Sequence, residues 1–75
     1  MSGVSDKVIA ISKTYLGPAT ESFLARQCKG HLKVELESLT AANVKDLAKW
    51  VEVGAGLIMT PDKAIELAKK ISSVT

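Results

Sequence analysis

The sequence holds one cysteine, one histidine, one tryptophan, one tyrosine and one phenylalanine in 75 residues. A lone Cys28 excludes an internal disulfide, and together with His31 it leaves a structural zinc site two ligands short. No apolar run reaches the roughly eighteen residues of a membrane span. One-sided charge is missing as well: ten Lys and Arg stand against eight Asp and Glu, for a net +2. That is far from the concentrated basic surface of a nucleic-acid binder. Met1–Asp6 lack the basic and apolar blocks of a signal peptide. With a single unpaired Cys, this leads to the expectation of a reducing, cytoplasmic setting with no cofactor, metal or membrane.

What is present is apolar residue in quantity, 47% of the chain, with helical spacing. A chain this short buries only roughly 60–65% of the surface its unfolded form exposes. Its stability therefore rests on good helix packing or on oligomerisation. We expect one domain, 1–75, in the all-α class: a compact bundle of about four helices over approximately 5–16, 18–29, 40–58 and 61–74.

In the first helix Ser5 is the expected cap and Asp6 suits the positive end of the dipole. Val4, Val8, Ile11 and Tyr15 recur at helical spacing, and Ile9 and Leu16 widen the stripe. Gly17-Pro18 then marks a corner, a left-handed residue after one helix and a proline in the first turn of the next. The second helix offers Phe23, Leu24 and Cys28 to the core, and Gly30 is its natural stop. In 31–39, Leu32, Val34 and Leu36 alternate with charged residues as in a strand. Leu32, Leu36 and Leu39 fit helical spacing equally. A lone strand has no partner in the chain, so an extended connector or a short helical turn is expected unless a second subunit pairs with it.

Thr40 caps the third helix, with Leu39 placed to pack on Val44. Val44, Leu47, Ala48, Val51, Ala55 and Ile58 follow one face. Thr60-Pro61-Asp62 opens the fourth helix, whose inner face is Ala64, Leu67, Ala68, Ile71 and Val74. Leu39-Thr40 and Met59-Thr60 match at a fixed offset, as do Asp46–Lys49 and Glu66–Lys69. Two such units are too few for a repeat array and reflect shared helix grammar.

The stretch Trp50–Met59 is the most informative. Its only charge is Glu52, and Trp50, Val53 and Leu57 point away from the Val44–Val51–Ala55 stripe. Such a helix end is enclosed by other helices or meets another molecule. Gly54 and Gly56 allow close backbone approach and cost about 1 kcal/mol each in helix propensity. One account makes this the central helix of the domain. The other makes Trp50, Val53, Gly54 and Leu57 a protein interface, where aromatic anchors are enriched. The two are compatible.

Other candidates carry less. Cys28 falls on the second helix's apolar stripe, as a buried thiol does, and lacks the base and orienting group of a nucleophile. His31 suits a helix end. Lys45 and Lys49, and Lys63, Lys69 and Lys70, are interrupted by Asp46, Asp62 and Glu66, as on a solvated face. Glu35 and Glu37 have no separate acid–base partner.

Tyr15-Leu16-Gly17-Pro18-Ala19 followed by Phe23-Leu24-Ala25-Arg26-Gln27 resembles the opening of a small helical domain found as an accessory module at the ends of bacterial serine/threonine kinases and other signalling proteins. The likeness covers about a sixth of the chain. The chain departs from the family in its Leu32–Leu36 connector and its Trp50–Met59 stretch. The resemblance implies an accessory or interaction role with no catalytic residues. The expectation is thus a non-enzymatic interaction module that associates with itself or another protein. The alternative is a small helical DNA-binding regulator acting through Lys45 and Lys49. A metal carrier or enzyme built on Cys28 and His31 is the weakest class.

Overall fold

At the Gly17-Pro18 corner Gly17 takes φ +58°, the left-handed conformation that only glycine adopts cheaply. A computed structural model describes residues 3–74. Met1 and Ser2, part of the stretch read for a leader, and Thr75, the end of the expected domain, lie outside the described residues. The chain runs through α1 (Gly3–Leu16), a 3₁₀ turn over Gly17–Ala19, a short α2 (Thr20–Gln27) and a wide π turn over Cys28–Leu32. A second 3₁₀ turn, Leu36–Ser38, leads into α3 (Ala41–Ala55) and then α4 (Pro61–Ser72). The architecture is all-helical, with no strand among the described residues. Three long helices carry it, and α2 has only eight residues.

Local signals set the helix starts. The Thr40 amide donates to the Asn43 side-chain carbonyl at 3.3 Å, and the Thr40 hydroxyl donates to the same oxygen at 3.0 Å. At α4 the Lys63 amide donates to the Thr60 hydroxyl at 3.4 Å, behind Pro61 at the first position. Each bond satisfies or restrains groups that a helix end leaves without an internal partner.

α3 and α4 make the most extensive contact, with α1 and α2 packed over them. The α3 stripe Val44, Leu47, Ala48, Val51 and Ala55 is buried, as are Ala64, Leu67, Ala68 and Ile71 of α4. Leu24, Cys28, Leu36, Leu39, Val8 and Ile9 complete the core. Phe23, Tyr15, Val4, Ile11 and Val74 pack against it while half-buried.

Four expectations need correction. Ser5 does not cap α1, which begins at Gly3; it lies inside the helix, fully buried. The buried face of α1 runs through Ser5, Val8, Ile9 and Ser12 rather than through Val4, Ile11 and Tyr15, because small side chains let this helix approach its neighbours closely. Gly30 does not end the second helix. The chain continues through the π turn to Lys33, which takes the left-handed φ of +59°, and the Cys28 carbonyl accepts from the amides of Lys33 and Val34. Finally, α3 stops at Ala55 rather than at 58. Leu57, Ile58 and Met59 fold into a turn whose amides donate to the Gly54 and Ala55 carbonyls. The connector over 31–39 is the short helical turn, not the strand.

Candidate interaction surface

The four residues expected to form an interface are separated by the fold. Trp50 is half-buried, and the His31 ring lies on it with centroids 3.9 Å apart and planes 5° apart. α3 packs against the π turn that carries His31. Gly54 serves an internal approach: a Cβ built there would lie 3.0 Å from Phe23 Cζ and 3.1 Å from Gln27 Nε2. These two positions face α2 and the π turn of the same chain. The domain covers part of that flank of α3 itself, and both positions stay half-buried.

Val53 and Leu57 stay outside. Val53 is 60% exposed, Leu57 86% and Ile58 63%. The spacing puts Ile58 on the buried stripe, and its exposure overturns that expectation. The spacing holds only while the helix continues, and it ends one residue before Gly56. Gly54 and Gly56, each costly in a helix, are the sequence signal for that end. Three branched apolar side chains thus share one corner, where α3 turns into α4.

A second cluster joins α1 to α4. Tyr15 donates its hydroxyl to Glu66 Oε2 at 2.9 Å, and Lys63 Nζ lies 3.7 Å from the same oxygen. Lys70 Nζ stands over the Tyr15 ring, 5.3 Å from its centroid. The Tyr15 hydrogen bond, then Lys63, holds the Glu66 carboxyl below its ordinary range, and Tyr15, aided by Glu66, raises Lys70. With Thr14 and Met59 these residues line an open groove of about 500 Å³. Its charged groups are already matched to one another, so the cluster works as a tie between helices.

Cys28 is fully buried. Burial, with a contribution from Glu37, pushes its thiol up to about 11, so it carries almost no thiolate at neutral pH and makes a poor nucleophile. Among the described residues no group of three His, Cys, Asp or Glu is placed to hold a metal ion. No helix among them is long and apolar enough to cross a membrane. The lysines divide. Lys45, Lys49 and Lys69 line one shallow groove between α3 and α4 together with Glu52, while Lys63 and Lys70 belong to the Tyr15 cluster.

Compared with protein-family models, with curated proteins and with solved structures, the chain matches none.

Proposed function

We propose that this chain is a non-enzymatic helical interaction module that self-associates through the α3–α4 corner. The single observation that carries the reading is the joint exposure of Val53, Leu57 and Ile58, at 60%, 86% and 63%, the three most exposed large hydrophobic side chains among the described residues. Ile65, at 40% exposed, is the one comparable side chain on α4. A patch that meets its own copy forms a two-fold pair. Three side chains fall short of the roughly 800 Å² per partner of a stable interface, so the association is weak and rises with concentration. The reading takes the short α2 as the fourth member of the bundle and Trp50 as a support for the corner rather than the contact itself. A cytoplasmic setting and an accessory role in bacterial signalling, the latter implied by the likeness at Tyr15–Gln27, belong to the same proposal.

Sedimentation equilibrium on wild type and Leu57→Asp tests it. The expected result is a concentration-dependent dimer whose dissociation constant rises at least about tenfold in the variant, or about 1.4 kcal/mol. A wild type that remains monomeric at the highest attainable concentration, or a variant that dimerises equally well, overturns it.

The gathering of Lys45, Lys49 and Lys69 into one groove supports DNA binding as the second reading, although Glu52 in the same groove opposes a phosphate. It predicts duplex binding at low salt that weakens in Lys45→Glu/Lys49→Glu. Absence of retention on DNA at low salt dismisses it.

A further inference from the structure

Two grooves on this chain carry charge of opposite sign, and they share no residue. The first, of about 330 Å³, lies between α1, α2 and the connector. Glu21, Glu35 and Glu37 rim it over a floor that includes Ile9 and Leu36, and Lys29 is the only cation among its lining residues. Lys29 pairs with Glu35 at 3.6 Å. Glu21 and Glu37 have no ion-pair partner among the described residues. The second groove, of about 240 Å³, lies between α3 and α4, with Lys45, Lys49 and Lys69 against the single carboxylate of Glu52. None of these three ammonium groups has an ion-pair partner among the described residues.

We infer that the acidic face around the first groove of one copy docks on the basic face around the second groove of the next, so that the chain assembles head to tail. In each groove the majority charge outnumbers the minority three to one, and the two sets of elements are disjoint. A contact between different faces is heterologous: every added copy leaves one groove of each sign open, and growth continues until a ring closes. Exposed charge pairs add little affinity individually, but complementary patches steer encounter and fix register. The assembly is therefore weak, cumulative and sensitive to salt. It extends the proposed self-association from a pair to a chain, and it stands on residues other than Val53, Leu57 and Ile58, so the two readings fail separately.

Sedimentation velocity on the full chain provides the test. In about 0.01 M salt the wild type grows with concentration, and in about 1 M salt, where the screening length falls from about 30 to about 3 Å, that growth disappears. In the Leu57→Asp background, which removes the corner contact, Lys45→Gln/Lys49→Gln and Glu21→Gln/Glu37→Gln each fail to grow alone. Each retains one intact groove, so an equimolar mixture pairs and stops at a heterodimer. Leu57→Asp keeps the salt-sensitive growth. All four neutralised positions are exposed, and circular dichroism verifies that both variants fold. The inference is overturned if the wild type does not grow at low salt, if either neutralised variant grows like wild type, or if the mixture does not pair. Association that persists at about 1 M salt and is lost only in Leu57→Asp assigns everything to the apolar corner and overturns it too. A monomer that binds a lysine-rich peptide or duplex DNA through these residues assigns the grooves to foreign partners, with the same consequence.

Discussion

The His31 imidazole lies flat on the Trp50 indole, with centroids 3.9 Å apart and ring planes 5° apart. The π turn delivers His31 there, and the contact clips residues 28–32 onto α3. His31→Ala removes it. We expect a loss of about 0.5–1.5 kcal/mol in unfolding free energy, the range of a stacked ring pair. Tryptophan emission should move to longer wavelength as water reaches the indole, since Trp50 is the only tryptophan. Unchanged emission and stability would show that the stack contributes nothing in solution.

Gly54 and Gly30 make a matched pair. Both sit at negative φ, so alanine is conformationally acceptable at either. At Gly30 an added Cβ meets nothing within 4 Å, and Gly30→Ala should stabilise by about 0.5–1 kcal/mol by restricting the unfolded chain. At Gly54 the methyl meets Phe23 and Gln27 at 3.0 and 3.1 Å. Overpacking costs about 1–3 kcal/mol and outweighs the propensity gain of about 1 kcal/mol. Urea melts should therefore move in opposite directions for the two variants.

Ser12 is fully buried, and its hydroxyl has no hydrogen-bond partner. A buried polar group left unsatisfied costs about 1–3 kcal/mol. Ser12→Ala removes the hydroxyl, keeps the close helix approach and improves helix propensity. An increase of about 1 kcal/mol in stability is expected by chemical denaturation. A destabilised Ser12→Ala would mean that the hydroxyl is satisfied in solution.

The Cys28 thiol is raised from 9.0 to about 11, first by burial and then by Glu37. A raised acid holds its proton longer in the folded state than in the unfolded one. Its contribution is complete below about pH 9 and declines as pH climbs from 9 to about 11. The informative quantity is the difference between wild type and Cys28→Ala in denaturant midpoint against pH. That difference should narrow across the alkaline window. At neutral pH the native thiol should resist alkylation under conditions where the unfolded chain reacts readily. Fast native-state labelling would refute the burial.

Much of the framework is legible in the sequence. Thr40 and Thr60-Pro61 open helices because their partners lie within three residues, at Asn43 and Lys63. Gly17 turns the chain because φ +58° is open to glycine. The stripes Val44–Ala55 and Ala64–Ile71 are buried where their spacing put them. What lies against the candidate residues was not legible in the sequence. Val53 and Leu57 are outside, but Trp50 and Gly54 are covered by His31, Phe23 and Gln27, residues about twenty or more positions earlier in the chain. No local pattern announces such partners.

The helical character of this chain is a matter of composition and period, and composition and period act over a few residues. The caps at Thr40 and Thr60, the corner at Gly17 and the stripes of α3 and α4 were therefore decided by the sequence alone. The tertiary structure decided what lies against each stripe. It buried Ser5 and Ser12 where aliphatics were expected, and carried the helical path through Gly30 to Lys33. It also ended α3 at Ala55, which turned Ile58 out to solvent. Each of these depends on the free energy of fitting two distant surfaces together, a quantity set by both surfaces at once and written in neither segment separately.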